Sequence, residues 1–309
     1  LCGCGAKPEP TAPATEPVTE ATTQPTTEPT TQPTTEPTTE PPPVYVNPLN
    51  GEILEEPYTG RVFAHTITNT QDALPHVNAV KADILVEAYV SRGVVRCLGL
   101  YTNIGEVEAI GGTRSTRIMF NQLANMYDAV LIHGGGSGMV LDYANWLQLD
   151  HFNVDSLYRQ GDPFAKATAY RDKEYKRSLE NSLFGIGSGI VEYAKLQGWP
   201  MELERDYGFR FAEDGNGTPA EGEDAHKISW TMVYKQAKKD THMVYDAELG
   251  KYVWNQYNKE MTDQITGEKE AFTNVIIMDT TITNKGIYHA ADFLAGGTGY
   301  YAGVSTKLQ

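Results

Sequence analysis

Apolar residues are distributed unevenly along this chain. No large apolar residue lies between Val18 and Val44, and Thr22 to Pro41 repeats Thr-Thr-Gln/Glu-Pro every four residues. A four-residue period is too short for a folded repeat and is low complexity instead. With nothing apolar to bury, the segment cannot offset the entropy of ordering. Residues 5–43 are therefore expected to be a disordered, proline-stiffened linker, reaching on the order of 120 Å if fully extended as polyproline II.

From Asn47 onward the pattern becomes that of a folded protein. Arg61 to Thr68 predicts a short strand. Ile84 to Val90 alternates, Ser91-Arg92-Gly93 turns the chain, and Val94 to Thr102 returns. A two-residue loop at Arg92-Gly93 sets Tyr89 opposite Arg96, with Glu87 on the same face one diagonal away. Ile110-Gly111-Gly112-Thr113 then opens a helix from about Arg114 to Met126. Ala129 to His133 is a short apolar strand, followed by Gly134-Gly135-Gly136-Ser137 and a helix from about Met139 to Leu147. Phe164 to Gly185 reads as polar loop, and Ile186 to Gln197 as a helix stopped by Gly198-Trp199-Pro200.

After Pro200 strand-like runs dominate. They are Phe209 to Phe211, Lys227 to Tyr234, His242 to Tyr245, Lys251 to Tyr257, Asn274 to Asp279 and Gly296 to Lys307, separated by glycine turns. The pattern predicts a mixed α/β domain over 44–200. A smaller antiparallel β-rich domain follows over 201–309.

Charge narrows the partners. The chain carries 25 Lys and Arg against 40 Asp and Glu, a formal net charge of −15. In the linker Lys7 faces Glu9, Glu16, Glu20, Glu28, Glu36 and Glu40, a balance of −5, so −10 remains on the folded part. No nucleic acid is expected as a partner, because that needs a basic footprint. A basic patch on anionic lipid is disfavoured in the same way.

The first residues indicate an address. Leu1-Cys2-Gly3-Cys4 has the form of a lipoprotein processing site, with cleavage before Cys4 and a lipid on its thiol. Residues 1–4 are then the remnant of a signal peptide, and Cys4 holds the protein to the extracytoplasmic face of a bacterial cell membrane. Cys97 stands in an apolar strand and is expected as a buried hydrophobe.

Candidate chemistry gathers at the two glycine-to-helix junctions. Helix N-termini favour anions, and glycines let the backbone approach them. The expected anion site comprises Arg96, Gly112, Arg114, Arg117, His133, Gly134, Gly135 and Ser137, with the arginines as bidentate donors. For each residue a purely structural role stands beside that one. The arginines can pair with Glu87 or Asp83, Ser137 can cap its helix, and His133 can be a satisfied core histidine. His-Gly-Gly-Gly resembles an esterase oxyanion hole, but neither Ser137 nor Ser188 sits in a G-x-S-x-G elbow. No P-loop, H-E-x-x-H or CxxC pattern occurs, so no cofactor or metal is expected.

Several motifs taken in order resemble the YerB-like bacterial lipoproteins, a family of unknown function with a two-part ectodomain. They are Asn47-Pro48-Leu49-Asn50-Gly51, Ala82-Asp83-Ile84 with Glu87, Gly93-Val94-Val95-Arg96, Gly112-Thr113-Arg114-Ser115-Thr116-Arg117 and Ile132-His133-Gly134-Gly135-Gly136-Ser137. In the second half they are Tyr245-Asp246 with Tyr252, Thr262-Asp263 with Thr266-Gly267, and Asn274-Val275-Ile276. The family often places a histidine after an Arg-Asp pair. Here Arg171-Asp172 is followed by Leu179-Glu180-Asn181 without it. The resemblance also implies that the chain stops short of the family's last strands. The expected function is a lipid-anchored binding or scaffolding protein whose partner is a cell-wall fragment or an envelope protein. An envelope hydrolase using the same residues is the alternative, and the absence of a nucleophile elbow weighs against an enzyme.

Overall fold

The computed structural model describes residues 44–91, 94–161, 163–174, 177–202, 205–211, 222–234, 237–278, 280–282 and 304–306. The linker and Cys4 lie outside them. The architecture is mixed α/β, followed by an antiparallel β-rich part.

The central sheet has five strands, β1 (Phe63–Thr68), β2 (Ile84–Ser91), β3 (Val94–Tyr101), β4 (Val130–His133) and β5 (His151–Asn153). Their order is β2-β3-β1-β4-β5, with the first two pairings antiparallel and the last two parallel. Helices α1 (Ile118–Met126) and α2 (Gly138–Trp146) follow the two glycine junctions. The central strands β1 and β4 are buried along their whole length, as expected for strands covered on both faces. Cys97 is fully buried and free, which bears out its reading as a hydrophobe.

The β-rich part is built on β6 (Lys227–Tyr234), β7 (Ala237–Asp246) and β8 (Lys251–Gln256), an antiparallel meander. Short strands Lys259–Glu260 and Ala271–Phe272 extend β8. Met243, Trp254 and Met261 of this part share one apolar cluster with Phe63, Ile67, Cys97, Tyr101 and Ile132 of the central sheet.

Four details depart from the sequence pattern. A bulge between Tyr89 and Ser91 pairs Tyr89 with Val95 and Ala88 with Arg96. Arg92 and Gly93 themselves lie outside the described residues. Helix α1 begins at Ile118, not near Arg114, because residues 113–116 are held by neighbouring strands and loops. The stretch read as loop from Phe164 holds a short helix, Pro163–Ala167, and a hairpin of Ala169–Arg171 with Leu183–Gly185. Phe209 to Phe211 and Asn274 to Met278 form no strand, although both are β-rich in composition. The Phe209 and Phe211 rings pack on each other, and Phe209 stacks on Tyr127. Of Gly296 to Lys307, the described part is the strand Val304–Thr306.

The helix Gly187–Leu196 is seated by close backbone approach. A Cβ at Gly187 would overlap the carbonyl of Ile104, and one at Gly189 the carbonyl of Ala167. At Gly138, the first residue of α2, a Cβ meets nothing within 4 Å. Overpacking against backbone costs about 1–3 kcal/mol or more. Gly187→Ala and Gly189→Ala should each lower stability by at least that amount in urea melts. Gly138→Ala should change it by less than about 0.5 kcal/mol in magnitude, as surface substitutions do.

Candidate functional site

The two glycine junctions are one structure. Gly134 N–H donates to the Arg114 carbonyl at 2.8 Å, and Thr116 N–H donates to the Gly135 carbonyl at 3.0 Å. Ser115 Oγ donates to the Gly134 carbonyl at 3.1 Å. The junctions also anchor to neighbours. Thr113 N–H donates to the Leu183 carbonyl at 2.6 Å, and Arg114 N–H to the Thr66 carbonyl at 3.3 Å. These backbone donors are spent within the fold.

The glycines serve packing more than ligand approach. A side chain at Gly112 would meet the Asn181 carbonyl, and one at Gly134 would press on the carbonyl of Thr113. Gly135 has φ +95°, which a side chain disfavours. Ser137 occupies the N-cap position of α2, is exposed, and makes no side-chain capping bond.

The three arginines do come together around Ser115. Arg96 Nη1 donates to the Ser115 carbonyl at 2.6 Å. Arg117 Nη1 donates to the Thr116 carbonyl at 2.7 Å. Arg114 pairs with Glu180 at 2.9 Å and donates to Asn181 Oδ1 at 3.2 Å. Glu180 is 76% exposed, so this pair is solvated and weak. Arg96 is 5% exposed, and its Nε has no hydrogen-bond partner among the described residues. Burial, together with the charges of Arg117 and Arg114, pulls the Arg96 guanidinium down to about 9. Arg117 is lowered by burial and by Arg114. Three cations are thus held near one another with one exposed carboxylate beside them.

The carboxylates that the sequence offered as partners are engaged elsewhere. Asp83 accepts from Asn47, Asn50 and Thr102. Glu87 accepts from Asn69 and Lys239. Sequence reasoning missed Ser115, Glu180 and Asn181 as members of the cluster. Ser115 lies between the two arginines in the sequence, whereas the 179–181 turn reaches the cluster only by folding.

His133 sits behind the glycine loop, fully buried. Its Nδ1 bonds the Gly135 carbonyl at 2.9 Å, and its Nε2 bonds His151 Nδ1 at 3.1 Å. Burial and the charge of His151 bring its pKa down to about 3, so it is neutral and braces the loop. His65 Nε2 lies 3.3 Å from Thr113 Oγ1 and is also lowered to about 3, by burial and by His133.

These two histidines predict acid sensitivity. Unfolded, each binds a proton near pH 6.5; folded, near pH 3. Between those values the unfolded chain holds more protons, so stability falls as pH drops from about 6.5 toward about 3. At pH 5 each histidine should cost about 2 kcal/mol relative to pH 7. Urea midpoints measured at pH 7, 6 and 5 should decline in that order, and a flat series would refute the assignment.

Comparison with known proteins places this architecture. Residues 49–197 match the model described as "Protein of unknown function (DUF3048) N-terminal domain". The chain is 24% identical over 265 residues to "Putative lipoprotein YerB" of Bacillus subtilis (strain 168), covering 82% of this chain and 73% of that protein. It shares the fold of the crystal structure of the YerB protein from Bacillus subtilis. The TM-score is 0.61 at 21% identity, over 73% of this chain and 71% of that one. Residues 49–197 are thus similar to the DUF3048 N-terminal domain, a domain of unknown function, and the chain as a whole is similar in sequence and fold to the YerB protein.

Proposed function

We propose that this protein is a lipoprotein, anchored by Cys4 at the extracytoplasmic face of a bacterial cell membrane. Its folded head binds an anionic component of the cell envelope. The address is supported by Leu1-Cys2-Gly3-Cys4 and by likeness to a protein named as a lipoprotein. Among the described residues no helix is long and apolar enough to cross a membrane.

The binding role rests on one observation. The buried Arg96 and the half-buried Arg114 and Arg117 crowd together just ahead of α1, with the solvated carboxylate of Glu180 beside them. Mutual repulsion and desolvation make that arrangement costly when empty. An anion relieves both, and the N-terminus of α1, whose N-cap residue is Arg117, adds to its attraction. His133 spends both ring nitrogens inside the fold, which favours binding over hydrolysis by the same residues.

Calorimetric titration with inorganic pyrophosphate should give saturable binding that weakens as salt rises. Arg114→Ala and Arg117→Ala should each reduce affinity about 10-fold or more, the worth of a charge-assisted hydrogen bond. Unchanged affinity in variants that still melt cooperatively would remove the site. In cells, Cys4→Ser should shift the full-length protein out of the membrane fraction; retention there would remove the anchor.

A further inference from the structure

Where the β-rich part meets the central sheet, a lysine, an asparagine and a glutamate are buried in contact. Lys239 on β7 is 5% exposed at its side chain, Glu87 on β2 is 11% exposed, and Asn69, just past β1, is fully buried. Lys239 Nζ and Asn69 Nδ2 both donate to the same oxygen, Glu87 Oε1, the latter at 2.6 Å. Amine and amide are therefore within two hydrogen-bond lengths of each other. The other carboxylate oxygen, Oε2, is buried without a hydrogen-bond partner among the described residues.

The surroundings exclude water and favour attack on the amide. Lys239 Nζ lies over the rings of Trp254 and Tyr257, 5.6 and 5.5 Å from their centroids. Thr241 Oγ1 is its other polar neighbour, at 3.3 Å. Gln256 Nε2 donates to Asn69 Oδ1 at 2.8 Å, which polarises the carbonyl and opposes charge that develops on its oxygen. Tyr257 Oη donates to the Asn69 backbone carbonyl at 3.0 Å and fixes the residue in place.

A buried ion pair is costly in such a site. Moving a proton from the ammonium to the carboxylate cancels both charges and leaves a nucleophilic amine beside a neutral acid. We propose that Lys239 and Asn69 become joined by an amide bond between their side chains, with Glu87 carrying the protons.

The step balances without an oxidant or co-reactant. Glu87 takes one proton from Lys239 Nζ. The neutral amine adds to Asn69 Cγ, placing negative charge on Oδ1 against Gln256. Glu87 hands its proton to Nδ2, the Cγ–Nδ2 bond breaks, and ammonia leaves. The added nitrogen returns one further proton to Glu87, which passes to ammonia as ammonium on release. Holding the groups together supplies the effective molarity that such an uncatalysed exchange lacks in water. The bond closes a loop of roughly 170 residues and ties β7 to the end of β1, limiting the unfolded state as a disulfide does.

Mass spectrometry of the purified full chain tests this directly. The wild type should weigh about 17 Da less than its sequence requires, the mass of the lost ammonia. Protease digestion should release a branched peptide that contains both Asn69 and Lys239. Lys239→Ala, Asn69→Ala and Glu87→Gln should each have the mass of their own sequence. Wild-type protein at full sequence mass overturns the proposal even if every variant fails to fold. A 17 Da loss without a branched peptide indicates asparagine cyclisation and overturns it equally. So does a loss that persists in Lys239→Ala.

Discussion

Charge buried where two sheets meet constrains this protein more than any other feature. Glu87 and Lys239 face each other across the boundary, and His76 and Glu270 form a second pair with both side chains fully buried. The Asn78 backbone N–H donates to Asp263, and Gln264 N–H donates to the His76 carbonyl at 2.8 Å. An unpaired charge in such a place costs several kcal/mol, and an apolar surface alone tolerates sliding. The apolar cluster shared by Trp254, Met243 and Met261 with the central sheet supplies attraction. The polar pairs supply position, because each fits at one register only.

That constraint reaches the arginine surface. Asn69 follows β1 directly, and β1 carries Thr66 and Thr68, which bond to the 112–114 segment. Asn181 then joins the parts laterally. Its Oδ1 accepts from Arg114 and its Nδ2 donates to Asp72 at 2.9 Å. The guanidinium groups are thus held by elements fixed in several directions. The neutral His133 beneath the loop contributes by bracing Gly135.

Much of the architecture was legible from local pattern. Lys227 to Tyr234 is a strand at both ends as read, and the glycine run that leads into α2 and the helix after Ile186 lie where the pattern put them. Misreadings came where packing overrides propensity. Phe209 and Phe211 are β-formers, yet their rings find aromatic partners without pairing a backbone. The 113–116 stretch has helical neighbours, but its N–H groups are claimed by Leu183, Thr66 and Gly135. The hairpin register depended on one bulged residue, which a period of two cannot reveal.

The sequence by itself determined what depends on neighbours along the chain. It set the apolar-poor linker, the candidate anchor at Cys4, the acidic balance, the alternation of strands and helices, and an arginine cluster partly encoded as Arg114-Ser115-Thr116-Arg117. Only the tertiary structure decided which charges meet. Glu87, read as a partner for Arg96, belongs to Lys239, 152 residues away. Electrostatic pairing depends on separation in space and on burial. Neither quantity exists until β7 has folded against β2, so no local pattern could carry it.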